Sequence, residues 1–141
     1  MGVTIWAHKS YCVFNMGGGG FFNLRKNIAL AFDKEFGEHY ETLIYRNSME
    51  DFKAFDEKAN KILSDSRFKD EDSDILDFLY ACDCGGKISY KTCKKIYELI
   101  KDIDFGEKIF TYAYYSKGDD YERFKKFLKE CYSHRRNMYW G

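Results

Sequence analysis

The stretch YACDCGGKIS, residues 80–89, holds two cysteines, an aspartate and a glycine pair between two apolar segments. Cysteine thiolates and histidine bind zinc. A Cys3His set can be assembled from this stretch and the end of the chain: Cys82, Cys84, Cys131 and His134. The one-residue gap in the first cysteine pair is tighter than the usual two-residue knuckle, and the glycines suit a plain turn between helices. We therefore predict a turn with no metal and keep the zinc set as the alternative.

A glycine run precedes a helix start in MGGGGFFNLRKN, residues 16–27. Free N–H groups at a helix start can hold a phosphate. However, the run lacks the Lys-Ser/Thr of a P-loop and the third glycine of a dinucleotide-binding fingerprint. It predicts instead a flexible connection whose exposed side chains contact a protein partner. The predicted contact residues are Gly18, Gly19, Phe21, Phe22 and Arg25.

Basic and aromatic residues adjoin each other in CYSHRRNMYWG, residues 131–141. Arginines next to aromatic rings suit both nucleic-acid contact with base stacking and protein interfaces. The simpler interpretation is a basic helix C-terminus, favoured by the helix dipole, with the tryptophan folded back. The predicted contact residues here are Arg135, Arg136, Tyr139 and Trp140.

Catalytic chemistry has little support. The chain has three histidines, and none accompanies a nucleophile motif. His8 and Cys12 lie four residues apart on one face of a strand-like segment, but no third orienting group can be named. The sequence thus favours a protein without catalytic residues or a cofactor.

Charge is balanced overall, with 23 basic and 23 acidic residues, so no global field attracts nucleic acid or anionic lipid. The local distribution is uneven. Residues 50–77 carry ten acids and five bases, whereas 87–101 carry five bases and one acid, and 123–136 six bases and one acid. We expect one acidic and one basic face, and the acidic segment is a second candidate contact surface.

Composition points to a folded protein, with 45% hydrophobic and 19% aromatic residues in 141. The start of the chain reads as no signal peptide, and no apolar run reaches the roughly 20 residues that span a bilayer. Five cysteines without such a signal predict reduced thiols in the cytoplasm.

Apolar periodicity predicts a helix-rich α+β fold in a single domain, residues 1–141, with about four to five helices. Ser48 and Ser89 are predicted N-caps. Phe52 begins the apolar stripe of the helix that follows Ser48. A small antiparallel sheet is expected from residues 3–16, residues 109–115 and the C-terminal end.

Three segments together resemble small proteins carried by bacteriophages, prophages and other mobile elements. They are FFNLRKNIALAF, GGKISYKTCKKIYELIKDID and FKKFLKECYSHRRNMYW. In such proteins a strand and glycine turn precede an LRxxIA-like helix, and a final helix leads into an aromatic strand. Many are stoichiometric inhibitors of bacterial defence systems, including anti-CRISPR proteins. The resemblance implies that class of function and brings no catalytic residues.

The main hypothesis is an interaction protein, encoded by a phage or mobile element, that binds and inhibits a host protein or ribonucleoprotein in the bacterial cytoplasm. Its sharpest version is an anti-CRISPR-type inhibitor of a defence nuclease. The alternatives are a nucleic-acid-binding regulator using the basic helices 87–101 and 123–136, a zinc-stapled Cys3His module, and a nucleotide-binding protein using the glycine run. A nucleic-acid regulator would lose affinity steeply with salt.

Overall fold

The chain adopts the predicted helix-rich α+β fold in a computed structural model that describes residues 2–8, 14–66, 68–104 and 120–141. A 3₁₀ turn, Glu41–Tyr45, follows the second helix, and a shorter one, Asp70–Asp72, precedes the fourth. The α-helices in these ranges are α1 (Gly18–Phe32), α2 (Lys34–Tyr40), α3 (Met49–Ser64), α4 (Ser73–Tyr80), α5 (Tyr90–Ile100) and α6 (Asp120–Ser133).

The described strands form one antiparallel sheet in the order β2-β1-β4-β3. They are β1 (Gly2–Ala7), β2 (Phe14–Gly17), β3 (Gly86–Ile88) and β4 (Met138–Trp140). The two ends of the chain therefore pair with each other, as predicted. The strand predicted at 109–115 lies outside the described residues.

Strand β3 was not predicted, because its sequence GKI lacks the β-branched and aromatic run that marks a strand. It forms against β4, with Ile88 opposite Met138 and Gly86 opposite Trp140. A Cβ on Gly86 would lie 2.3 Å from the Trp140 ring, so only glycine lets the strand pass the indole. Gly85 has a φ of 155°, which also favours glycine. The predicted turn is therefore present, but it leads into a strand.

The apolar residues from Phe21 to Phe36 recur at helical spacing, but Asp33 divides this segment into α1 and α2. Its backbone is extended (φ −158°, ψ 126°), and its side chain accepts a hydrogen bond from the Phe36 amide at 2.9 Å. An aspartate at this position caps the second helix and ends the first. The apolar stripe continues across the break, since Phe32 and Phe36 are both buried.

Capping at Ser48 and Ser89 is confirmed. Ser48 and Asp51 form a capping box, in which each side chain accepts from the other residue's backbone amide. Ser89 Oγ accepts from the amide of Thr92 at 3.3 Å. The capping box of Ser48 and Asp51 thereby holds the start of α3 in a defined position after the 3₁₀ turn.

One hydrophobic core joins the inner face of the sheet to the helices. Val3, Ile5 and Ala7 alternate inward along β1, while Trp6 points outward. The remaining largest buried side chains come from α1, α2, α4 and α6: Phe21, Leu24, Ile28, Phe36, Tyr40, Phe78, Leu79, Phe124 and Phe127.

Candidate partner-binding surface

The glycine run does not form a flexible loop in the described structure. Gly17 ends β2, and Gly18 opens α1 directly. Gly19 is exposed, and a Cβ there would meet nothing within 4 Å. The predicted mobile contact loop is therefore wrong, because the first turn of a long helix incorporates the run.

Phe21 and Trp140 were predicted to be contact residues on the surface, and both predictions are wrong. They are 0% and 3% exposed, and their rings lie 6.0 Å apart in the core. Phe22 is half-buried and stacks on Tyr40 at 5.6 Å. The glycine segment and the C-terminal strand do meet, but the contact between Phe21 and Trp140 lies in the core and not on the surface.

Arg25 was predicted to face a partner, yet it is 7% exposed. Its guanidinium lies over the Phe21 ring at 4.3 Å. Burial lowers the pKa of this side chain, and charge interactions with Tyr40 and Asp83 offset part of that effect. Its Nη1 donates hydrogen bonds to the carbonyl oxygens of Phe78 (3.5 Å), Leu79 (3.3 Å) and Ala81 (2.6 Å). Arg25 thus fastens the end of α4 to α1 and has a structural role.

The basic C-terminal residues divide between surface and structure. Arg135 is exposed and adopts a left-handed conformation with φ 53°. Arg136 is half-buried, and its Nη1 lies 3.5 Å from Glu130 Oε1. Tyr139 is half-buried and stacks on Trp6. Of the predicted contact side chains here, Arg135 is the one that remains fully exposed.

The four candidate zinc ligands do not converge. Cys82 and Cys84 are joined in a disulfide, which also corrects the prediction that they are reduced thiols. Cys131 is buried against Cys93, and the hydrogen bond between them, together with burial, raises the pKa of the Cys93 thiol. His134 is exposed. Across the described ranges, no group of three Cys, His, Asp or Glu side chains could hold a metal ion.

The candidate catalytic pair of His8 and Cys12 falls only partly within the described residues. His8 lies in an exposed turn directly after β1. Cys12 lies outside the described residues. His39 is buried and stacks on the Phe55 ring, with 4.2 Å between ring centres. Its Nε2 lies 3.0 Å from the Phe55 carbonyl oxygen. That histidine is used to pack α2 against α3.

A surface that the sequence did not predict lies where the 3₁₀ turn meets α3. In the described part of the chain, five of the six large hydrophobic side chains that are exposed belong to it. They are Ile44 (58% exposed), Tyr45 (71%), Met49 (83%), Phe52 (41%) and Tyr80 (42%). We call this set the apolar corner.

Arg46 connects the members of the apolar corner. Its guanidinium lies 4.1 Å from the centre of the Phe52 ring and 4.9 Å from that of Phe55. The Phe55 ring in turn meets Tyr80 edge-on at 6.4 Å. A cavity of about 280 Å³ beside them is lined by Ile44, Arg46 and Tyr80, among others. Arg46 therefore contacts Phe52 directly, lines this cavity with Ile44 and Tyr80, and is linked to Tyr80 through the buried Phe55 ring.

The apolar corner is bordered by acids. Asp51 belongs to the capping box at the start of α3. It also lines a second cavity of about 260 Å³ together with Tyr45 and Arg46. Hydrogen bonds, first from the Asn47 amide and then from Ser48, lower the pKa of Asp51. Asp56 is exposed and lies close enough to Tyr80 to act on it electrostatically. The predicted acidic segment 50–77 thus begins at the edge of this surface.

A second, smaller aromatic surface lies on the outer face of the sheet. Trp6 is 38% exposed and stacks on Tyr139, with 6.0 Å between ring centres and 18° between planes. Lys87 of β3 lies opposite Tyr139 in the sheet and is exposed. This arrangement of two stacked rings beside a lysine can accept a base or another flat group.

Sequence reasoning missed the apolar corner for an identifiable reason. Phe52 falls on the same helical stripe as Phe55, so periodicity predicted both to be buried. In the structure Phe55 packs against His39 of α2, whereas Phe52, one turn earlier on α3, is 41% exposed. The usable signal was Met49 beside Tyr45 and Ile44 in a short polar connection, where apolar residues are unexpected.

No protein-family model, curated protein or solved structure matches this chain. None of the helices in the described ranges has the length and apolar character needed to cross a membrane.

Proposed function

We propose that this chain is an interaction protein that binds a partner protein through the apolar corner. The observation that carries the proposal is the exposure of five large apolar side chains: Ile44, Tyr45, Met49, Phe52 and Tyr80. Phe52 contacts Arg46, the others except Met49 line cavities with that arginine, and Met49 lies three residues before Phe52 on α3. Contiguous exposed apolar groups are uncommon on proteins that work alone and mark interaction sites. Tyr, Met, Phe and Arg are also the side chains that interfaces favour.

The size of the apolar corner limits the binding free energy that apolar contact alone can provide. Full burial of one such side chain contributes about 1.5–3 kcal/mol. Since the five are partly covered already, burying the rest would contribute on the order of 6 kcal/mol. Association costs about 4–15 kcal/mol in lost freedom. Apolar contact alone would therefore give a weak complex. We propose that the bordering acids face basic groups on the partner, which would add specificity and a faster association rate.

These requirements suggest the chemistry of the partner. It presents an apolar patch bordered by lysines or arginines, as proteins with a nucleic-acid groove do. We propose a host macromolecule that is inhibited when Asp51, Asp56 and the rest of the acidic segment occupy such a groove. The sharpest version is a bacterial defence nuclease in the cytoplasm, which the resemblance to phage and mobile-element proteins suggests.

The test is capture of partners from nuclease-treated bacterial lysate by the tagged chain and two variants. Met49→Ser removes the most exposed apolar side chain, so it should lower partner recovery several-fold without changing stability. Trp6→Ser is the matched control, since it removes an exposed aromatic from the other surface and should leave recovery unchanged. Equal recovery by the unchanged chain and Met49→Ser would show that the apolar corner does not bind the partner.

Nucleic-acid binding is the second candidate, and the Trp6–Tyr139 stack beside Lys87 is the observation that favours it. Nucleic-acid binding predicts the opposite pattern of recovery in the same experiment. Recovery would vanish after nuclease treatment, Trp6→Ser would weaken binding to single-stranded DNA or RNA, and affinity would fall steeply with salt. Met49→Ser would then behave as the unchanged chain does.

A further inference from the structure

The Cys82–Cys84 disulfide spans a single intervening residue and is exposed. Its two cysteines are separated by Asp83, and both lie on the surface between α4 and β3. A link across one residue closes too short a loop to restrict the unfolded chain much, so it contributes little to stability. Exposed disulfides are the ones that exchange with thiols, whereas structural disulfides are protected.

The other described cysteines provide the contrast. Cys93 and Cys131 are 0% and 1% exposed, and they face each other as free thiols between α5 and α6. Buried thiols of this kind are inert toward solutes. A thiol reagent in solution therefore discriminates between the two pairs.

The backbone around the disulfide is anchored on both sides. Trp140 Nε1 donates a hydrogen bond to the Cys82 carbonyl oxygen at 2.9 Å. Arg25 holds the preceding carbonyl, that of Ala81. On the other side Gly86 pairs with Trp140 in the sheet. These contacts do not involve the sulfur atoms, so the two thiols stay adjacent after reduction and the disulfide can form again.

One sulfur is better placed than the other to carry negative charge. The Cys84 backbone amide donates a hydrogen bond to Cys82 Sγ at 3.1 Å. Hydrogen bonds stabilise a thiolate, and a stabilised thiolate is the better leaving group. Arg25 donates to the carbonyl of Ala81, the residue before Cys82, whereas a negative charge on Asp83, the residue after it, opposes negative charge on the sulfur.

We propose that Cys82 and Cys84 form a redox-active pair that exchanges with small-molecule thiols such as glutathione. The thiolate of a first glutathione attacks Cys84 Sγ, the protein S–S bond breaks, and its electron pair leaves as the Cys82 thiolate, which then takes a proton. A second glutathione thiolate attacks the mixed disulfide and releases Cys84. In sum, two glutathione molecules are oxidised to one disulfide, and two electrons and two protons pass to the protein.

The reverse direction assigns separate roles. By microscopic reversibility, the Cys84 thiolate attacks oxidised glutathione and releases one glutathione thiolate. The Cys82 thiolate then attacks Cys84 Sγ, closes the protein disulfide and releases the second glutathione thiolate. The exchange reaction itself needs no partner protein, although Cys82 lines the cavity beside the apolar corner together with Ile44 and Tyr80.

The test uses the full chain carrying Cys12→Ser, which removes the thiol outside the described residues. The protein is equilibrated with reduced and oxidised glutathione at varied ratios, thiols are trapped with a maleimide, and peptides are read by mass spectrometry. We expect the 82–84 pair to pass reversibly from disulfide to dithiol across these ratios, while the buried pair stays unlabelled. A Cys93→Ser variant should give the same curve.

Single variants test which sulfur is the stabilised thiolate. The variant Cys84→Ser keeps the stabilised Cys82 thiolate, so it should form the glutathione adduct several-fold faster than Cys82→Ser does. In a Trp6→Phe background Trp140 is the remaining tryptophan, and its emission should change with the same midpoint as the labelling. A pair that stays oxidised in excess reduced glutathione, or stays reduced in excess oxidised glutathione, would overturn the proposal. Equal adduct rates in the two single variants would overturn the assignment of the stabilised thiolate to Cys82.

Discussion

Replacing Gly37 with alanine has two opposite effects on the free energy of unfolding. Gly37 lies inside α2, where alanine is favoured over glycine by about 0.8–1.0 kcal/mol of intrinsic helix propensity. It is also buried against Leu30 of α1. A Cβ on residue 37 would lie 2.5 Å from Leu30 Cα and 2.6 Å from its Cγ and Cδ2. Sequence reasoning alone would predict a stabilised protein, and the packing predicts the reverse.

The steric effect should win because the nearest atom belongs to the backbone. A flexible side chain can rotate away at small cost, but Leu30 Cα moves only if α1 and α2 separate. Overpacking of a core costs about 1–3 kcal/mol, and a clash with backbone belongs at the upper end. Subtracting the propensity gain leaves a net loss of about 2 kcal/mol. For a chain of this size, that lowers the melting temperature by roughly 6–8 °C.

The assay is thermal and urea unfolding followed by far-ultraviolet circular dichroism. Gly19→Ala is the matched control, since a Cβ there meets nothing within 4 Å. It should leave the free energy of unfolding unchanged or raise it by up to about 1 kcal/mol. If Gly37→Ala proves as stable as the unchanged chain, the close packing of α1 on α2 is wrong.

Two single side chains give further expected outcomes. Asp51→Asn should reduce the loss of stability in acid, because hydrogen bonds from Asn47 and Ser48 lower the pKa of the Asp51 carboxyl group in the folded state. The carboxylate's contribution is complete above the unfolded pKa of about 3.9 and is lost as pH falls through the lowered folded pKa. The urea midpoints of the two chains should therefore converge as the pH falls through that range; a difference that stays constant from neutral pH into acid would contradict this. Arg25→Ala removes the donor to three carbonyl oxygens and should cost about 3 kcal/mol of unfolding free energy. Lys91→Ala on the exposed face of α5 is its control, and equal melting temperatures for the two variants would contradict the structural role of the arginine.

Local features were predictable because they depend on neighbours in sequence. The caps at Ser48 and Ser89 require only a hydroxyl three residues before a free amide. The apolar stripes of α5 and α6 follow from a period of 3.6 residues and need no knowledge of what covers them. For the same reason the helix-rich α+β class was confirmed.

Contacts between distant residues explain most of the errors. Trp140 looks like an exposed terminal aromatic in sequence, but β4 enters the sheet between β1 and β3 and turns its indole onto Phe21 and Phe78. The short GKI segment has no strand character of its own, and it becomes β3 because β4 offers an open edge. Such outcomes depend on which elements meet, which period and propensity do not encode.

The sequence by itself determined the fold class, the caps, the helix stripes and the presence of an acidic segment. Tertiary structure decided which apolar residues are covered. Phe52 and Phe55 share one stripe, yet Phe55 is buried against His39 of α2, whereas Phe52 is 41% exposed and belongs to the apolar corner. It also decided that Cys82 and Cys84 meet each other instead of Cys131 and His134. Burial and pairing are properties of neighbours in space, and those exist only after the chain has folded.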